Sequence, residues 1–76
     1  MIKTGSQIRA ARAFLGLRRE DLAAIAGVHP NAVKYWEERT VPSGPLPYAV
    51  ERMTTALRSQ GIEVFADPKP GVRLVA

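Results

Sequence analysis

The sequence predicts a single mainly α domain of four to five short helices, with a C-terminal β-hairpin. Three observations carry this prediction. Glycine and proline divide the chain into short segments. Apolar residues recur at helical spacing up to residue 61, then alternate. A chain of 76 residues, 46% of them hydrophobic, has the composition of a folded globule. It is too short for two cores, since independent domains rarely fall below about 50 residues. Residues 1–61 are therefore expected to form the helical domain, and residues 62–76 an extension that packs on it, dimerises, or both.

The first helix is expected over Ser6–Leu17, with Ile8, Ala11, Arg12 and Leu15 on one face. Thr4 or Ser6 can cap its start, and Gly16 suits a left-handed residue at its end. The second helix is expected over Arg19–Ala26. Leu22, Ile25 and Ala26 share a face, Gly27 stops the helix, and Glu20 and Asp21 suit the dipole of its first turn. The third opens at His29 or Pro30, because proline is favoured at a first helical position, and runs to about Glu38. Three prolines and a glycine make Thr40–Pro47 a loop. The fourth helix is expected over Leu46–Gln60, with Val50, Met53, Thr54 and Leu57 inward. Ile62–Ala66 and Val72–Val75 alternate like strands around the turn chemistry of Asp67–Gly71.

Composition excludes several classes of function. Without cysteine there is no disulfide or thiolate metal site, and a single histidine makes a metal cluster improbable. No apolar run is long enough to cross a membrane, and the first residues lack the apolar stretch of a signal peptide, so a cytoplasmic protein is expected. No acid–base pair, phosphate loop or nucleophile motif stands out, so neither catalytic residues nor a cofactor, metal or small-molecule ligand is expected. Eleven basic against seven acidic residues give a net charge of +4, which favours a polyanionic partner.

The informative stretch is Leu17–Glu38. Two short helices meet at a tight turn containing Gly27, small Ala23 lies four residues before it, and Val28 and Val33 bracket it. This is a helix-turn-helix pattern. The residues Leu22-Ala23, Ala26-Gly27-Val28, Val33 and Trp36-Glu37, together with Arg12, resemble the Cro/C1-type, or XRE, repressor family. The resemblance covers about Ser6 to Leu57. It implies a lambda-repressor-like DNA-binding domain in which Arg12 pairs with Glu37 as a structural ion pair. The chain departs from that family's pattern at Arg18 and Arg19, where a Ser or Thr followed by Gln is usual. It departs again at His29, in the place of a Ser or Thr, and at Glu38-Arg39, which lacks a glycine.

Helical geometry identifies a reading face independently of the resemblance. Advancing about 100° per residue from Val33 puts Trp36 and Pro30 within about 60° of it, on the core side. Asn31, Lys34, Tyr35 and Glu38 fall on the other side. Asn31 can bond adenine bidentately, Lys34 can reach guanine or phosphate, and Tyr35 can bond a base edge or pack its ring on a thymine methyl. Ala32 at the edge and Pro30 near the helix start complete the base-contacting set. Arg18, Arg19, His29, Arg39, Thr40 and Ser43 are the phosphate candidates, and Arg9 is a weaker one.

Between Arg18 and Arg39 the basic and acidic residues balance, so one copy would bind DNA weakly. A homodimer on a palindromic double-stranded operator is therefore expected. Ile62, Val64, Phe65, Val72 and Leu74 are the candidate dimerisation residues, with Phe14 a candidate packing partner for the hairpin. The function expected is a transcriptional regulator, a repressor or autorepressor. The alternative is an antitoxin or protein-interaction module with secondary DNA binding.

Overall fold

The computed structural model describes residues 1–75; Ala76, the last residue of the expected extension, lies outside the described residues. Helix α1 spans Gly5–Leu15 behind Thr4, whose backbone is extended. The Thr4 N–H donates to Oε1 of Gln7 at 3.0 Å, so the third helical residue satisfies a donor at the helix start. Gly16, at φ 65°, ends the helix, which leaves Leu17 outside it. Helix α2 spans Arg19–Ala26, as expected, and ends at Gly27 with φ 71°. Helix α3 spans Pro30–Glu37, with proline at its first position. Helix α4 spans Tyr48–Ser59 and starts later than expected. Leu46 precedes Pro47, and the residue before a proline is pushed out of the helical region.

Strands β1 (Ile62–Phe65) and β2 (Gly71–Leu74) form an antiparallel hairpin. Ile62 stands opposite Leu74, Glu63 opposite Arg73, Val64 opposite Val72, and Phe65 opposite Gly71. About half of the residues are helical, in four helices rather than five. None of them is long and apolar enough to cross a membrane.

One core draws on every element. Ile8 and Ala11 of α1, Leu22, Ala23 and Ala26 of α2, Val33 of α3 and Val50, Met53, Ala56 and Leu57 of α4 are buried in it. Ile25, expected on the inner face of α2, is instead 41% exposed. Ala23, two residues earlier, is buried instead beside Leu22 and Ala26. Two core residues come from outside both the helices and the strands. Lys3–Gly5 runs beside Arg39–Val41: Gly5 N–H donates to the Arg39 carbonyl and Val41 N–H to that of Lys3, both at 2.8 Å. This pairing carries Ile2 and Val41 inward.

The hairpin belongs to the same core. β1 packs on α4 and β2 on α1. Gln7 joins the parts: its buried Nε2 donates to the carbonyls of Phe65 at 2.7 Å and Gly71 at 3.0 Å, while Oε1 accepts from the start of α1. The expected partner Phe14 is 54% exposed, because it lies on the outer side of α1.

Candidate nucleic-acid interface

Residues Gly27–His29 separate α2 from α3, and Arg52 on α4 donates to the carbonyl that ends α2. His29 caps α3 by accepting the Asn31 N–H at Nδ1, 3.0 Å away, which leaves Nε2 as its outward donor. α3 has two distinct faces. Val33 and Glu37 are buried and Trp36 packs partly buried against the core, while Asn31, Lys34, Tyr35 and Glu38 are exposed. Pro30 and Ala32 are half-buried at the boundary.

Glu37 is the electrostatic centre of the arrangement. Its side chain is wholly buried. Arg12 donates to it through Nε at 2.5 Å and Nη2 at 3.2 Å, and Arg19 through Nε at 2.9 Å. The carboxylate therefore joins α1, α2 and α3. Arg12 is fully engaged, because its Nη1 also donates to the Leu17 carbonyl at 3.0 Å. Each of its three nitrogens thus has a partner within the chain. Arg19 was expected purely as a phosphate contact. The structure gives it a prior partner in Glu37 and leaves its outer guanidinium edge exposed.

Arg18 differs from the expectation in another way. Its guanidinium lies 3.2 Å from Asp21 and 3.9 Å from Glu20. The Arg18 side chain, then its backbone N–H, holds the Asp21 carboxyl below its ordinary value. Two carboxylates thus offset the charge that a phosphate would need. Arg39 lies at the other end of α3. Its Nη1 donates to the Tyr35 carbonyl at 2.7 Å, and its guanidinium carbon stands 3.5 Å from the centre of the Tyr35 ring. Trp36 meets the same ring edge-on at 5.0 Å. Arg39 therefore covers one face of the Tyr35 ring, and the residue stays 47% exposed.

Thr40 is exposed beside its bridge partner Thr4, and Ser43 is exposed in the loop before α4. Arg9 donates to the Glu37 carbonyl at 2.8 Å and to Ser6 Oγ at 3.0 Å. It shares with Arg39 and Thr40 a cleft of about 340 Å³ where the start of α1 meets the end of α3. The structure thus brings Arg9, Tyr35, Arg39 and Thr40 together at one end of α3, with His29 and Asn31 at the other.

The dimerisation set divides. Ile62 and Val64 are buried in the core of their own chain and have no surface to offer, because β1 lies flat on α4. Phe65 and Val72 are half-buried, and Phe65 covers Gly71. Leu74, at 58% exposure, is free for a partner, as is its neighbour Val75 at 55%. Sequence reasoning missed Arg52, which reads in the helical pattern as an ordinary solvent-facing cation. Its only sequence signal is the pairing of a glycine turn with an arginine on a later helix. No protein-family model matches the chain, and no curated protein matches it.

Proposed function

We propose that the protein is a sequence-specific regulator of transcription that binds double-stranded DNA, acting as a repressor by occupying a promoter. α3 enters the major groove of an inverted repeat, one copy of the chain on each half-site. The observation that carries this reading is the division of α3 into two faces. Val33, Trp36 and Glu37 hold one face to the core, while Asn31, Lys34 and Tyr35 stand exposed on the other. The resemblance of Leu17–Glu38 to the XRE family supports the same reading, as does the Arg12–Glu37 ion pair. His29, Arg19, Arg39, Thr40 and Ser43 are the phosphate contacts of the proposal. Arg18 contributes least, since Asp21 and Glu20 hold it.

The exposed Leu74 and Val75 support a protein contact at the end of the hairpin. We assign it to a second copy of the chain. The second reading, an antitoxin-type module, shares this observation and differs in the identity of the partner. Asn31→Ala and Tyr35→Ala test the main reading. On a preferred site each is expected to weaken binding by about 1–3 kcal/mol while melting stays as in the parent. Unchanged affinity in both would remove α3 as the reading helix.

A further inference from the structure

One side chain of α4, Arg52, reaches the turn between α2 and α3. Arg52 Nε donates to the Ala26 carbonyl at 2.7 Å, and its guanidinium carbon stands 5.2 Å from the centre of the Tyr48 ring. The same guanidinium fills the space a side chain at Gly27 would need, because a β-carbon there would lie 2.6 Å from Nη2. The φ of 71° calls for glycine at Gly27, and a side chain there would also displace the Arg52 guanidinium.

Nε is occupied, but among the described residues no acceptor takes the hydrogens of Nη1 or Nη2. Arg52 also forms no ion pair among them. Glu51 lines a cleft of about 300 Å³ with it, between α2 and α4, and forms no ion pair among the described residues.

We infer that Arg52 is a phosphate-contacting residue, a cation held in place beside the turn that feeds α3; the inference rests on the DNA-binding reading. A recognition helix that enters the groove by its N-terminus brings the residues just ahead of it past the sugar-phosphate backbone. Those residues are Gly27–His29, and the guanidinium lies on Gly27. Its free hydrogens present the planar donor edge that matches phosphate oxygens. The contacts to Ala26 and Tyr48 fix the side chain beforehand, which reduces the rotamer entropy lost on binding.

The test uses the full chain and a fluorescein-labelled duplex of mixed sequence, about 20 base pairs or two helical turns long. Affinity is measured by anisotropy from about 50 to about 200 mM salt. Arg52→Gln is expected to lower the slope of log affinity against log salt by about 1 per protomer. Arg52→Lys keeps the charge and is expected to keep the slope. Arg58→Gln removes the same charge from the far end of α4 and is expected to leave the slope as in the parent. Melting temperatures of all three separate folding from binding. An Arg52→Gln protein with a lower melting temperature and the parental slope would make Arg52 a helix cap only. Equal slopes for Arg52→Gln and Arg58→Gln would reduce its effect to general charge. A parent chain that binds no duplex would overturn the DNA-binding reading, and this inference with it.

Discussion

Glu37 on α3 ties three helices together through Arg12 and Arg19. Its carboxylate is wholly buried and is held by guanidinium groups from two other helices. Removing one partner of such a group leaves the remaining charges without compensation. Glu37→Ala is expected to cost about 3–5 kcal/mol, read as a lower urea midpoint. The Arg12–Glu37 half of the cluster is legible in the sequence, through the family resemblance. The Arg19 half is not, because an arginine at a helix start reads equally well as a phosphate contact. Gln7 is illegible for a different reason. A polar residue in the first turn of a helix carries no mark that two strand carbonyls will converge on it. Acid adds a separate prediction. Asp21 and Glu63 are both held below their ordinary values, chiefly by hydrogen bonds from Arg18 and Arg73. Lowered carboxylates stabilise the fold fully above the unfolded value, near pH 4, and lose that contribution as pH falls through the folded one. Carboxyl titration by NMR should show both midpoints depressed, with Asp21 rising towards its ordinary value in Arg18→Ala.

At the scale of elements, chain punctuation was the most readable signal. Gly16 and Gly27 end their helices in the left-handed region, as glycine permits. The start of α4 was misplaced because helical periodicity reaches back to Leu46, whereas the steric demand of Pro47 does not allow it. The inward face of α2 was misread for a related reason. Helical spacing relates Ile25 to Leu22, but the buried side of α2 runs through Leu22, Ala23 and Ala26 and leaves Ile25 41% exposed. Gly27 links this scale to the binding surface. Gly27→Ala would place a β-carbon against Arg52 in a backbone conformation that L-residues avoid, at a cost of about 1–2 kcal/mol. A denaturant titration checks this, and the variant should bind DNA more weakly than its loss of stability alone explains.

At the scale of the whole molecule, the hairpin shares the core of the helices. Ile62 and Val64 complete the core, and Gln7 fastens α1 to the hairpin. Deleting residues 62–76 should therefore unfold the protein and would say little about assembly. The pair Leu74→Asp and Val75→Asp alters only exposed positions, and the fold should survive it. Its mass in solution should fall from that of a dimer to that of a monomer, and an unchanged dimer would move the interface elsewhere. The net charge of +4 also takes on a location at this scale. Arg12, Arg18, Arg19 and Arg73 are held by carboxylates, whereas Lys3, Arg9, Lys34, Arg39, Arg52, Arg58 and Lys69 form no ion pair among the described residues, and of these Arg9, Lys34, Arg39 and Arg52 lie on or beside α3. Basic charge without an internal partner thus lies at both ends of α3. Selection of bound DNA from a random pool with the purified chain tests the central claim most directly. The account predicts an enriched inverted repeat whose half-sites lie about one helical turn, roughly 34 Å, apart. A pool that returns no enriched sequence would contradict it.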